Sequence, residues 1–286
     1  MRPSTFSIVA ADPECGELGI AVQSKFLAVG SAVPWVESGV GAIATQAWAN
    51  TTFGPLGLTL LRGGASPDDV RSALIAGDEG SADRQFGIVD ARGRSSTFTG
   101  DRCIPWASGI AGENFAAQGN CLAGESVVTA LASTFRETKG PLADRLMASL
   151  AAAQREGGDK RGQQSAALVI YKPGGGYSGF NDRYVDLRVD DHPAPIEELA
   201  RILELHKLYN FAAEPGDVLP IDAALGREIV VELRRAGAYN GSGDVYDDSA
   251  RDALVAFMHV ENLENRVRDD RAIDRQTLAY LRAFKR

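Results

Sequence analysis

Four short apolar runs crowd into the first 47 residues: TFSIVAA at 5–11, LGIAVQS at 18–24, and the two halves of AVPWVESGVGAIATQA at 32–47. Each is strand-length and carries β-branched Ile or Val. Each is closed by turn residues, Asp12, Pro13 and Gly16 after the first run and Gly39-Val40-Gly41 inside the last pair. Connections this short join antiparallel neighbours, because a parallel pair needs a crossover of roughly a dozen residues or more. The chain therefore opens as antiparallel sheet, and every later element must pack against it.

Helix signals follow in groups. PLGLTLLRGG places Leu56, Leu60 and Leu61 on one expected face and stops at a glycine pair. SPDDVRSALIAGD has Ser66 as cap, Pro67 at the first helical position and Asp68-Asp69 in the first turn. A hairpin is expected over 84–90 and 94–99, and GIAGENFAAQGN (109–120) reads as one strand. Two helices then run over about 125–136 and 141–156, followed by a buried strand SAALVIY, an alternating strand DRYVDLRVD, and an amphipathic helix at 195–210. Helices grouped between hairpins, and not alternating singly with strands, indicate an α+β class. The expected architecture is a four-layer αββα sandwich of two antiparallel sheets over residues 1–211. The Pro- and Gly-bearing stretch 212–221 reads as a linker, and 222–286 as a small all-helical domain.

The net charge of −8 leaves no basic patch for phosphate, so nucleic acid and anionic membrane surfaces are not expected partners. No run reaches the 18–20 apolar residues of a membrane span, and no signal-like apolar core precedes Asp12, so a cytoplasmic location is expected. Cys15, Cys103 and Cys121 show no zinc spacing, and none of the three histidines has a ligand neighbour, so neither metal nor cofactor is expected. The loop Asn240-Gly241-Ser242-Gly243-Asp244 alternates oxygens and glycines as a calcium loop does, but lacks the Glu that closes one.

Several stretches together carry a family likeness: TFSIVAADPECGELGIAVQSK, AVGSAVPWVESGVGAIATQA, FGPLGL, RQFGIVD, GDKRGQQSAALVIY and DLRVDDHPAPIEEL. Over residues 5–210 the chain resembles the DUF1028 family, which is grouped with the N-terminal nucleophile (Ntn) hydrolases of αββα fold. Through VVELRRAGAYNG and DALVAFMHVENLENR the tail resembles a peptidoglycan-binding-like module. The likeness implies a nucleophile at the first residue of the mature chain, with its own α-amine as general base. The matching residue is Thr5. Here Met1-Arg2-Pro3-Ser4 precede it, so a free amine at Thr5 requires their removal.

Around Thr5 the resemblance and the strand order suggest further roles. Gln23 and Lys25 are candidate catalytic partners, Lys25 to lower the nucleophile's pKa or hold an oxyanion, or else a solvated strand end. Ser24, Thr45, Gln46, Asn50 and Asn120 are candidate substrate contacts, or polar residues at strand ends and turns. Arg161, with Asp159 beside it, is a candidate clamp for a carboxylate or carbamoyl oxygen, or part of a surface charge cluster. Asp190-Asp191-His192 reads better as a turn and helix cap than as a catalytic cluster. Two functions remain open: an amidohydrolase acting on the C–N bond of a small amide or ureido compound, or a non-catalytic protein binding a cell-wall glycan fragment or protein partner. Fold analogy adds a homo-oligomer.

Overall fold

The computed structural model of the protein describes residues 5–213 and 215–285. The chain divides into two compact units, Met1–Ile202 and Leu203–Arg286. In the first, β1 (Thr5–Asp12), β2 (Glu17–Ser24), β3 (Pro34–Glu37) and β4 (Gly41–Ala47) lead into α1 (Phe53–Arg62) and α2 (Pro67–Ala76). Then come β5 (Arg84–Asp90), β6 (Ser95–Thr99), β7 (Ser108–Gly112), β8 (Phe115–Asn120), α3 (Glu125–Glu137) and α4 (Leu142–Arg155). The strands β9 (Ser165–Tyr171) and β10 (Arg183–Val189) precede α5 (Pro195–Asn210), which crosses the division between the units.

One sheet has six strands in the order β10-β9-β2-β1-β8-β7, the other four in the order β3-β4-β5-β6, with every neighbouring pair antiparallel. The two sheets pack face to face through a core of small residues, in which Ala11, Ala42, Ala44, Ala116 and Ala167 join Val9, Ile20 and Val89. A second core lies between the four-stranded sheet and α1 and α2, where Phe53 meets Phe86 edge to face at 5.4 Å. On the outer face of the six-stranded sheet, Phe115 packs against Phe135 of α3, and a Cβ on Gly19 would touch Leu146 of α4. The layers are therefore αββα, as the hairpin and helix grouping implies.

Local signals explain the element boundaries. Ser66 accepts from the Asp69 amide while the Asp69 carboxylate accepts from the Ser66 amide, a complete capping box with Pro67 inside the first turn. Two expectations change. The segment 109–120 is a hairpin and not one strand, because Glu113-Asn114 form a tight turn with Asn114 in the left-handed region at φ 69°. In α1 the buried face is Phe53, Gly54, Gly57, Leu58 and Leu61, whereas Leu56 is exposed. Bare Gly54 decides that face, since a Cβ there would overlap the Trp35 ring at 2.1 Å.

The second unit holds α6 (Ala223–Arg235), α7 (Asp248–Val260) and α8 (Arg275–Ala283). Asp222, Asp247 and Asp274 cap their N-termini. Within the stretch expected as a linker, Val218–Pro220 form β11, which pairs antiparallel with β12 (Ala272–Asp274). The glycine loop 240–244 is organised by a guanidinium: Arg234 donates to Gly241 O and Gly243 O and to the Asp244 carboxylate.

Candidate functional site

Thr5 opens β1, a central strand hydrogen-bonded on both edges, where it lies opposite Ser24 of β2 and Asn120 of β8. Odd residues of β1 face the other sheet, and so do even residues of β2, β4 and β8. Thr5, Ser24, Gln46 and Asn120 consequently meet at one end of the inter-sheet layer. Thr5 Oγ1 donates to Ser24 Oγ at 3.1 Å, and Gln46 Nε2 donates to Thr5 O at 3.3 Å.

These groups belong to a wider buried network that bridges the sheets. Ser7 Oγ donates to Gln46 Oε1 at 2.6 Å and accepts from Gln118 Nε2 at 2.7 Å. Gln85 Oε1 accepts from Gln46 Nε2 and Asn120 Nδ2, at 2.8 and 2.9 Å. Its own Nε2 donates to Thr99 Oγ1 and to Gly119 O. Thr5, Ser7, Gln46, Gln85, Gln118 and Asn120 are all at most 1% exposed. Gly87 makes room for this crossing, because a Cβ there would sit 2.0 Å from Gln118 Oε1, an atom with no partner among the described residues. All these groups are neutral, so the burial cost is met by hydrogen bonds alone.

The other candidates fall elsewhere. Gln23 lies opposite Phe6 and shares the parity of Gly19, so it turns toward the α4 layer, fully buried and with neither amide atom partnered among the described residues. Thr45 faces α1, donating to Asn50 O, while the Asn50 amide donates to Asp78. Lys25 continues from the Ser24 end, its ammonium on Gln163 O and its amide on Asp159 Oδ2. The buried Asp159 carboxylate also accepts from the Arg161 amide, Nε and Nη2, so Arg161 folds back onto its neighbour. His192 Nδ1 accepts from the Ala194 amide, as a turn residue does.

Ser7, Gln85 and Gln118 are not among the candidates that the sequence offers. The available signal was a polar residue at matching parity near the same end of strands that are otherwise apolar. The Asp78 carboxylate, hydrogen-bonded by the Arg84 guanidinium, is held down to about 2, below its ordinary range. Arg84 also donates to Trp48 O, fixing the strand ends that carry Gln46 and Gln85. Removal of Met1–Ser4 concerns residues outside those described.

An αββα sandwich with a threonine heading its central strand is thus the framework of the first unit. Residues 5–199 match the family described as "Family of unknown function (DUF1028)", and the chain belongs to that family. Residues 211–281 match the description "Putative peptidoglycan binding domain". Among solved structures, the crystal structure of protein SPO2555 from Silicibacter pomeroyi, a DUF1028 protein, is 32% identical. That match covers 71% of this chain and 89% of the other, with a TM-score of 0.65. No curated protein matches the chain. Among the described residues no helix is long and apolar enough to cross a membrane.

Proposed function

We propose that the first unit is an N-terminal-nucleophile-type amidohydrolase that cleaves the C–N bond of a small amide or ureido compound. The observation that carries this reading is the placement of Thr5 at the head of the central strand, with its hydroxyl 3.1 Å from Ser24 Oγ and with side-chain amides around it. Hydrolysis of the Ser4–Thr5 bond would put an α-amine, of ordinary pKa near 8, on the nucleophile's own residue. Thr5 Oγ1 then adds to the substrate carbonyl carbon and passes its proton to that amine. The C–N bond breaks as the ammonium returns the proton to the departing nitrogen. Water cleaves the acyl ester and restores the threonine. Ser24 and Asn120, on the flanking strands, are the hydrogen-bonding groups nearest in register to the developing oxyanion. The Asp159–Arg161 pair acts in this reading as the frame that holds the Lys25 end of β2. For the second unit, the match over 211–281 supports a glycan-binding role.

A second reading, a non-catalytic binding protein, is favoured by one observation: Thr5 is only 1% exposed. Intact-mass measurement and N-terminal sequencing of the purified protein separate the two. The hydrolase reading expects Thr5 to lead the active chain, and Thr5→Ala to abolish both processing and amide hydrolysis. A chain that retains Met1–Ser4 and still hydrolyses an amide would remove Thr5 from the nucleophile's role.

A further inference from the structure

The ends of α6, α7 and α8 converge on a cavity of about 320 Å³ in the second unit, walled by Gly237, Ala238, Phe257, Val260, Glu261 and Phe284. Helix C-termini present unsatisfied carbonyls and the negative end of the helix dipole. Arg235 donates to Leu281 O, Arg282 O and Phe284 O and caps α8, while Gly237 and Ala238 amides close the last turn of α6 and Asn262 and Leu263 amides that of α7, so these two ends act on the cavity through the negative pole of the helix dipole. Glu261 follows the last residue of α7. Tyr280 Oη donates to its Oε2 at 2.7 Å, which orients the carboxylate and leaves Oε1 for a second donor. The rings of Phe257 and Phe284 stand edge to face, 5.2 Å apart at 85°, and supply an apolar wall with aromatic faces.

We propose that this cavity binds a primary alkylammonium group, of the kind carried by a lysine side chain. The alkyl stem would lie against Phe257, Val260 and Phe284, and the ammonium would donate to Glu261 Oε1. An anion is disfavoured by the carboxylate and by two helix C-termini. A neutral sugar hydroxyl can donate to the carboxylate but brings no positive charge to pair with it. A quaternary ammonium suits the rings but has no N–H for the carboxylate.

The test uses the full chain and titrates Nα-acetyl-lysine N-methylamide, following the backbone amide resonances of Gly237 and Glu261 by NMR. Saturable shifts of both are expected. The Nε-acetylated probe, with the same stem and no charge, should bind roughly tenfold more weakly or worse. Glu261→Gln should weaken the lysine probe to a similar degree. Its amide oxygen still accepts from Tyr280, and a melting curve checks that the fold is kept. Equal binding of the charged and acetylated probes, unshifted Gly237 and Glu261 amides, or tighter binding of an Nε-trimethyl probe would each overturn the proposal. The two-probe comparison on the unaltered chain needs no variant to fold.

Discussion

At one end of the sandwich, Thr5, Ser7, Gln46, Gln85, Gln118 and Asn120 are buried without a formal charge, whereas the C-terminal unit buries Arg266 against Asp274 at 2.7 Å. Four of the five N–H groups of the Arg266 guanidinium are committed. Besides Asp274 it donates to Leu208 O, Lys207 O and Gln276 Oε1. Asp274 in turn caps α8, accepting from the Gln276 and Thr277 amides and from Thr277 Oγ1. The sandwich network is looser in kind, since its hydroxyls and amides can both donate and accept, and Gln118 Oε1 has no partner among the described residues. A ligand's polar group can replace one neutral hydrogen bond at a cost of about 1 kcal/mol, while opening a buried ion pair exposes an uncompensated charge. Burial alone therefore does not mark a site. Capacity to re-pair does, and by that measure the charged cluster is a staple and the neutral one can exchange a partner for a ligand.

The largest expected effect tests that contrast directly. Arg266→Met leaves the Asp274 carboxylate buried without its cation and should cost about 3–5 kcal/mol. Gln85→Leu, which removes the central amide of the neutral network, should cost about 1–3 kcal/mol. Denaturant unfolding supplies both numbers, with hydrogen exchange over 223–283 and over 84–120 assigning each loss to its unit. Equal costs would erase the distinction drawn between the clusters.

The fold was legible because strand length, turn residues and the Ser66 capping box all report local physics. The site was legible by halves. Thr5, Ser24, Gln46 and Asn120 sit at the ends of strands, and strand ends can be found without knowing the register. Which face each residue takes depends on pairing. The register Thr5↔Ser24 sets Gln23 opposite Phe6 and turns it away from the inter-sheet layer. Thr45 is lost to the site for the same reason, being one residue from Gln46. Gln85 was invisible because its role exists only after pairing and packing, where Gln46 from the neighbouring strand and Asn120 from the other sheet converge on one oxygen. For Arg161 the sequence shows the cation and its neighbour Asp159, but not that the Asp159 carboxylate also accepts from the Lys25 amide and takes three of the Arg161 N–H groups.

A smaller effect concerns pH, to which the neutral network itself is silent. Acid sensitivity at this end of the sandwich comes from ion pairs that hold the strand ends, and Asp78–Arg84 lies beside Gln46 and Gln85. The Asp78 pKa is lowered from 3.8 to about 2 in the folded chain, chiefly by the Arg84 hydrogen bond. A depressed folded pKa means the stabilisation is present above the unfolded value and is lost as pH falls from about 4 toward 2. Its full size is about 2 kcal/mol. Urea midpoints at pH 7 and pH 3 should therefore fall further for the natural chain than for Asp78→Asn. Parallel falls would place the acid-sensitive group elsewhere.

The smallest expected effect has the opposite sign. Gln23 is fully buried in the layer beneath α4, and among the described residues its Nε2 and Oε1 have no partner. Every other polar residue discussed here gains hydrogen bonds that offset its desolvation, but Gln23 meets that cost unaided. Leucine has a similar volume and no polar atoms to desolvate, so Gln23→Leu should leave stability unchanged or raise it by up to about 1 kcal/mol. Because its side chain faces away from Thr5, amide hydrolysis should be unaffected as well. The measurement is a paired melting curve and activity assay on the two proteins. A loss of more than about 1 kcal/mol would mean that an ordered water satisfies the amide. A loss of hydrolysis at unchanged stability would show that the layer beneath α4 acts on the nucleophile through Phe6 and β1, and the neutral network between the sheets would then not be the whole of the site.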